Sequence, residues 1–165
     1  MGRTVGLDFG TTNSALAVFD GDAKARLASF PGATGPAPTF RSILFFDADE
    51  HGPNTPARPA AGADAISRYL ESGGNGRLLL SLKSFLADRT FSATDIFGRR
   101  FTLEELVALI LTPLRRTAER QFGDLGRCVV GDKVVLVAGS PPGTPGKTNG
   151  LRVHRIGDAI AHDPV

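Results

Sequence analysis

The sequence predicts an α/β fold: a mixed sheet that starts antiparallel, with helices flanking it. Three observations carry this. Two apolar runs, Thr4 to Asp8 and Ser14 to Phe19, stand on either side of a Gly/Thr/Asn turn. They are too close for a parallel crossover, so they form a hairpin. Residues 63–72 place Ala65, Ile66, Tyr69 and Leu70 on one helical face. Residues 102–122 open with Thr102-Leu-Glu-Glu105, a capping box, and carry Leu103, Leu106, Val107, Ile110, Leu114, Ala118 and Phe122 at core spacing.

Composition narrows the function classes. A chain of 165 residues suits one domain, and 41% apolar residues suffice for a core. The formal charge of +2 comes with no long basic block. Arg99-Arg100 and Arg115-Arg116 are isolated pairs and read as solvated faces, so neither nucleic acid nor a membrane surface is expected as a partner. Cys128 is the single cysteine, which excludes a disulfide framework or thiolate metal cluster within one chain. Beside Val129-Val130 it reads as a small buried strand residue, with a reactive thiol as the alternative. Asp8 interrupts the first apolar run, so no signal peptide is expected. Met1-Gly2 is followed by Gly at position 6, not Ser or Thr, which argues against myristoylation. No apolar stretch is long enough to span a bilayer. The expected compartment is the cytoplasm.

The other elements follow in order. Asp20-Gly21 is a hairpin turn signal, and a third strand is expected over 25–30. Residues 31–62 contain Pro31, Pro36, Pro38, Pro53, Pro56 and Pro59, which deny them regular helix. Within them Ser42-Ile-Leu-Phe-Phe46 reads as a strand. Gly73-Gly74-Asn75-Gly76 terminates the first helix and is not a second phosphate loop, because it follows a helix. Residues 77–86 place Leu79, Leu82, Phe85 and Leu86 on one helical face, with Lys83 off its centre. Ile96 to Phe101 looks like a hairpin. Pro113 predicts a kink in the long helix, and Gly123 ends that helix. Arg127 to Gly131 reads as a strand returning to the first sheet.

The turn after Asp8 has the chemistry of a phosphate site. Gly10 has no Cβ, so it can take positive φ and let another group approach the backbone. Thr11, Thr12 and Asn13 offer hydroxyls, an amide and backbone N–H donors, the ingredients of an anion-binding nest. Asp8 repels phosphate unless Mg²⁺ stands between them, since Mg²⁺ keeps its waters and bridges carboxylate to phosphate oxygens. A plain hairpin turn rich in Gly, Thr and Asn is the competing reading.

The order Asp8-Phe-Gly-Thr-Thr-Asn-Ser14 after an apolar strand resembles the first phosphate motif of the actin-like ATPase superfamily, in the version of the heat shock protein 70 (DnaK-type chaperone) family. That resemblance covers about residues 3–131. It implies a ribonuclease H-like, actin-like ATPase fold, present here as a partial N-terminal lobe. It implies ATP or ADP as ligand, with Mg²⁺ held through water by Asp8 and phosphates held by Gly10, Thr11, Thr12 and Asn13. The family pattern has Tyr or Asn where Asn13 stands. Lys83 matches the lysine that reaches toward the γ-phosphate and attacking water. A solvated helix lysine is the equal alternative. Pro38-Thr39-Phe40-Arg41-Ser42 resembles the family's stretch that passes the nucleotide cleft, with a surface loop leading into a strand as the alternative, and Thr102-x-Glu-Glu matches the start of the family's long helix. The resemblance also implies a chaperone role in the stress response.

The match ends near Gly131. Residues 132–165 form a divergent Pro/Gly-rich tail, with Val129 to Val135 reading as a local hairpin. A second glycine-rich phosphate motif, a later acidic catalytic set and an adenosine motif are all missing from the sequence. This implies a truncated or frame-shifted reading of a longer ATPase, inactive alone because catalysis needs groups from both sides of the cleft. A non-enzymatic module that binds another protein through an exposed sheet face is the alternative. A degenerate P-loop at Gly146-Lys147-Thr148 is a third reading. There Pro141 replaces the required glycine, and Pro142 and Pro145 remove further N–H donors. His154 and His162 have no partners at metal spacing and read as exposed.

Overall fold

The computed structural model describes residues 3–21, 24–50, 59–88, 90–138 and 150–158. The chain divides into two units, residues 1–125 and 126–165. The architecture is mixed α/β, with several small sheets and few helices.

The first unit begins with β1 (Thr4–Asp8), β2 (Asn13–Phe19) and β3 (Arg26–Leu27). β1 and β2 form the expected hairpin, with Val5 opposite Val18 and Leu7 opposite Leu16. The expected third strand divides: two residues pair with β2, and the chain then enters β4 (Phe30–Gly32), which pairs with β5 (Gly35–Ala37). β6 (Phe40–Arg41) returns to β2. At the far end of the first hairpin, Arg3 Nε donates to Asp20 at 2.6 Å, and Arg26 donates to the other carboxylate oxygen. The hydrogen bond from Arg3, followed by that from Arg26, holds the Asp20 carboxyl below the usual carboxylate range.

β7 (Leu44–Asp47) lies between β8 (Ala60–Ala61) and β9 (Gly76–Leu79). Its continuous apolar run is explained by burial on both faces. Leu44 and Phe46 enter the main core, while Phe45 enters a second cluster with Ile43, Ala60 and Ala65. Helix α1 (Ala63–Glu71) covers that second cluster through Ala65, Ile66 and Tyr69. The Tyr69 ring stands edge-on to Phe45 at 5.7 Å. Leu70, placed on this face by periodicity, is 69% exposed.

The helix expected over 77–86 does not form. Its first half is β9, and a 3₁₀ turn follows over Leu82–Ala87. Pairing with β7 satisfies the backbone of residues 76–79, and Ser81 takes a left-handed conformation (φ 56°) that breaks any helix there. Leu82 is buried, but Leu86 is 55% exposed, so the apolar face read from the sequence is split.

β10 (Ala93–Ile96) and β11 (Arg99–Thr102) form a hairpin. Its two-residue turn, Phe97-Gly98, has positive φ at both positions (51° and 79°), the type I′ geometry that matches strand twist. Thr102 then caps α2 (Leu103–Phe122). Its hydroxyl accepts from Glu105 N–H at 3.2 Å, and the Glu105 carboxylate accepts from Thr102 N–H at 2.9 Å. Thr102→Ala is expected to cost about 1 kcal/mol of unfolding free energy, read as a lower urea midpoint at unchanged slope.

α2 is one continuous element with Pro113 inside it. Leu106, Ile110, Leu114 and Ala118 face the main core, where they meet Leu16, Val18, Phe30, Phe40, Phe46 and Phe101. Near its end, Gln121 clamps Ser29: its amide donates to the Ser29 carbonyl at 2.6 Å and accepts from the Ser29 N–H at 2.9 Å.

In the second unit, β12 (Lys133–Ala138) pairs with β13 (Gly150–Arg155). The expected strand over 127–131 and the local hairpin over 129–135 do not form. Residues 129–132 make a turn instead, with Asp132 N–H donating to the Val129 carbonyl and Val129 N–H to the Asp132 carboxylate. Cys128 is exposed, because no strand carries it into a core. His154 is half-buried. The Gly146-Lys147-Thr148 segment, its prolines and His162 lie outside the described residues. All strand pairs among the described residues are antiparallel, so the sheets are not mixed.

Candidate functional site

The candidate site is the connection between β1 and β2. Asp8 ends β1 opposite Ala15 and is exposed. Thr11 and Thr12 follow on the exposed bend, and Asn13 opens β2. Asp8, Gly10, Thr11, Thr12 and Asn13 are therefore brought together, as a short turn must bring them.

Gly10 is required for a different reason from the one expected. Its φ is not positive. A Cβ at this position would lie 2.0 Å from the Asn13 carbonyl oxygen, so the approaching backbone belongs to the turn itself. The curl is held from beneath. Gly10 N–H donates to Ser14 Oγ at 3.3 Å, and Ser14 Oγ meets Ser42 Oγ at 2.8 Å, with both serines buried. Ser42 N–H donates to the Thr12 carbonyl at 2.9 Å. Arg41 Nη1 donates to Asn13 Oδ1 at 3.1 Å. These bonds pin the backbone of the turn and the Asn13 side chain. Among the described residues, no hydrogen bond or ion pair engages the Asp8 carboxylate or the Thr11 and Thr12 hydroxyls.

The bracing roles of Arg41, Ser14 and Ser42 are what sequence reasoning did not assign, although Ser14 closes the motif and Arg41 and Ser42 belong to the stretch likened to a cleft-passing segment. Arg41 and Ser42 lie in the Pro38-Thr39-Phe40-Arg41-Ser42 segment, but only the β2–β6 pairing, with Asn13 opposite Arg41, brings them to the turn. Arg41 places a guanidinium against the Asn13 side chain, where the turn enters β2. Its bond to Asn13 Oδ1 commits that oxygen and leaves the amide NH₂ as the donor Asn13 can offer.

Lys83 sits on the 3₁₀ turn, exposed, and no hydrogen bond or ion pair joins it to the β1–β2 connection among the described residues. No group of three or more His, Cys, Asp and Glu stands ready to ligate a metal directly among the described residues. A lone Asp8 carboxylate fits a hydrated Mg²⁺, which needs one or two carboxylates and keeps its waters. A cleft of about 540 Å³ opens elsewhere, lined by Phe40, Ala60, Ala61, Leu109, Pro113 and Arg116 among others, and by none of residues 8–13. Among the described residues no helix is long and apolar enough to cross a membrane.

Comparison with known proteins corrects the family reading. The chain is 32% identical over 103 residues to the pyruvate kinases of Mycobacterium intracellulare and Mycobacterium tuberculosis, an alignment covering 58% of this chain and 22% of each relative. The chain thus spans 22% of the length of the curated relatives it matches. No family model matches. The resemblance to heat shock protein 70, and with it the chaperone and stress-response reading, is overturned by relatives that are pyruvate kinases. The physical reason is the shortness of the motif. A turn of glycine, threonine and asparagine between two apolar strands suits phosphate in any setting, so it speaks for a ligand chemistry and not for a family.

Proposed function

We propose that this chain is a phosphate-binding piece of a pyruvate kinase-like protein, and that the β1–β2 connection holds the phosphates of a magnesium nucleotide, ATP or ADP. The observation that carries the reading is the combination of a pinned backbone with uncommitted outer groups: among the described residues nothing engages the Asp8 carboxylate or the Thr11 and Thr12 hydroxyls, while Ser14, Ser42 and Arg41 brace the curl. A braced turn loses little freedom when an anion arrives, which favours binding. The relatives' name supports the same ligand class, since a kinase must hold a phosphoryl group.

In this reading Thr11 and Thr12 donate hydroxyl hydrogens to phosphate oxygens, and Arg41 supplies positive charge at the rim. Asp8 orients the water shell of Mg²⁺, which when bound neutralises phosphate charge. Lys83 supplies a further cation for the transferring group from a separate element. The chain alone binds nucleotide and does not turn it over, because phosphoryl transfer needs groups from both sides of the ligand. The compartment we propose for this work is the cytoplasm.

Calorimetric titration of the full chain with ADP and ATP, with Mg²⁺ and with a chelator, tests this. Asp8→Asn is expected to weaken binding by about tenfold with Mg²⁺ present and to change little without it. Equal loss in both conditions would remove the metal role. No saturable binding by the unmodified chain would remove the proposal.

A further inference from the structure

The cleft beside Pro113 joins apolar walls to uncommitted polar groups. Its volume is about 540 Å³, inside the range of about 300–1,000 Å³ that small-molecule sites occupy. The buried Phe40 ring, Ala61 and Leu109 line it, and all three belong to or pack on the main core. Gly62 lets the chain run flat across the Phe40 ring: its φ is 71°, and a Cβ there would stand 2.6 Å from ring carbons. The opposite wall is a second stripe of α2. Leu109, Thr112, Pro113, Arg116 and Thr117 line the cleft at the three- and four-residue spacings of one helical face. This stripe is distinct from the buried one of Leu106, Ile110, Leu114 and Ala118.

Two properties of the lining select a ligand. Pro31, Pro59, Pro113, Ala60, Ala61 and Ala63 make much of the wall, and such side chains have no rotamer freedom to lose when a ligand arrives. The polar groups are unevenly committed. Asp64 pairs with Arg68 at 3.3 Å, and the Thr117 hydroxyl accepts from Arg120 at 2.8 Å. Among the described residues no hydrogen bond or ion pair engages the Arg116 guanidinium or the Thr112 hydroxyl. These two are four residues apart on one face, so they are neighbours.

We propose that this cleft binds an aromatic carboxylate, its ring held among Phe40 and the proline and alanine walls and its carboxylate on Arg116, with the Thr112 hydroxyl as a further donor. The guanidinium fork matches the two oxygens of a carboxylate. A phosphate brings three acceptor oxygens to satisfy in place of two. A flexible chain acid carries the same charge but loses rotamer freedom that a fused ring does not have. None of residues 8–13 lines the cleft, so this inference stands apart from the proposed function.

Calorimetric titration of the full chain with 2-naphthoate is expected to saturate with a dissociation constant on the order of 100 μM. The neutral 2-naphthamide and the linear octanoate are each expected to bind about fivefold more weakly or worse. Arg116 is exposed, so Arg116→Gln spares the core, and it is expected to bring 2-naphthoate down to the affinity of the amide. Alkylation by iodoacetamide locates the ligand. In a Cys128→Ser background, saturating 2-naphthoate is expected to slow modification of Thr112→Cys by about fivefold, and to leave Arg100→Cys, exposed on β11, unchanged. Any of four results would overturn the proposal: no saturable binding, equal binding of the amide or of octanoate, full affinity in Arg116→Gln, or no protection at position 112.

Discussion

Phe46→Ala is expected to lower the stability of the first unit by about 3–5 kcal/mol, the largest effect of any single truncation considered for this chain. Phe46 is fully buried at the middle of β7. Its ring meets Phe101 edge-on at 5.2 Å, which ties the three-stranded β8–β7–β9 sheet to the β10–β11 hairpin. Both rings belong to the cluster that α2 covers through Leu106, Ile110 and Leu114. Removing one ring leaves a cavity among three elements that cannot all close on it, because each is fixed elsewhere: β7 by its two neighbours, α2 by its cap and by Gln121. Chemical denaturation followed by far-ultraviolet circular dichroism would read the loss. A change under about 1 kcal/mol would mean that the cluster repacks freely and that the elements are not held as described.

Gly10→Ala is expected to abolish nucleotide binding and to cost about 1–3 kcal/mol of stability at the same time. The added Cβ would sit 2.0 Å from the Asn13 carbonyl oxygen, a backbone atom that cannot rotate aside. Opening the curl breaks the Gly10 N–H to Ser14 Oγ bond and pulls on the buried Ser14–Ser42 pair. It also displaces Asn13 from Arg41. The paired measurement separates two outcomes. If stability falls but titration with magnesium ADP is unchanged, the ligand does not use this turn. If both fall together, while Asp8→Asn lowers binding alone, the turn is the site and its curl is what presents the hydroxyls.

The hairpin of β1 and β2, the β10–β11 hairpin, α1 and α2 were all legible in the sequence, since each is specified within a few residues. Two apolar runs flanking a turn can only fold back on each other. Thr102 and Glu105 specify the start of α2 by reaching each other's N–H groups. Elements whose partners are distant in sequence were less legible, although the apolar run over 42–46 did announce β7. Residues 77–86 have helical spacing, but β7 offered residues 76–79 a ladder of hydrogen bonds, and pairing outweighed a weak local preference. Cys128 looked buried because its neighbours are apolar, yet no strand forms there to bury it. The same limit applied to the family reading. The turn chemistry describes what a loop can hold, whereas the similarity found by comparison extends over 103 residues and is to pyruvate kinases.

By itself, then, the sequence determined the α/β class, the caps and turns, and a turn whose side chains suit phosphate, because these depend on neighbours within reach of one another along the chain. Tertiary structure alone decided that Arg41 and Ser42 brace that turn, that β7 is buried on both faces, and that β2 carries β1 on one side and β6 at its start. Each of these depends on which distant strand arrives alongside. That choice is made by the burial of Phe40, Phe45 and Phe46 together, not by any one stretch of residues.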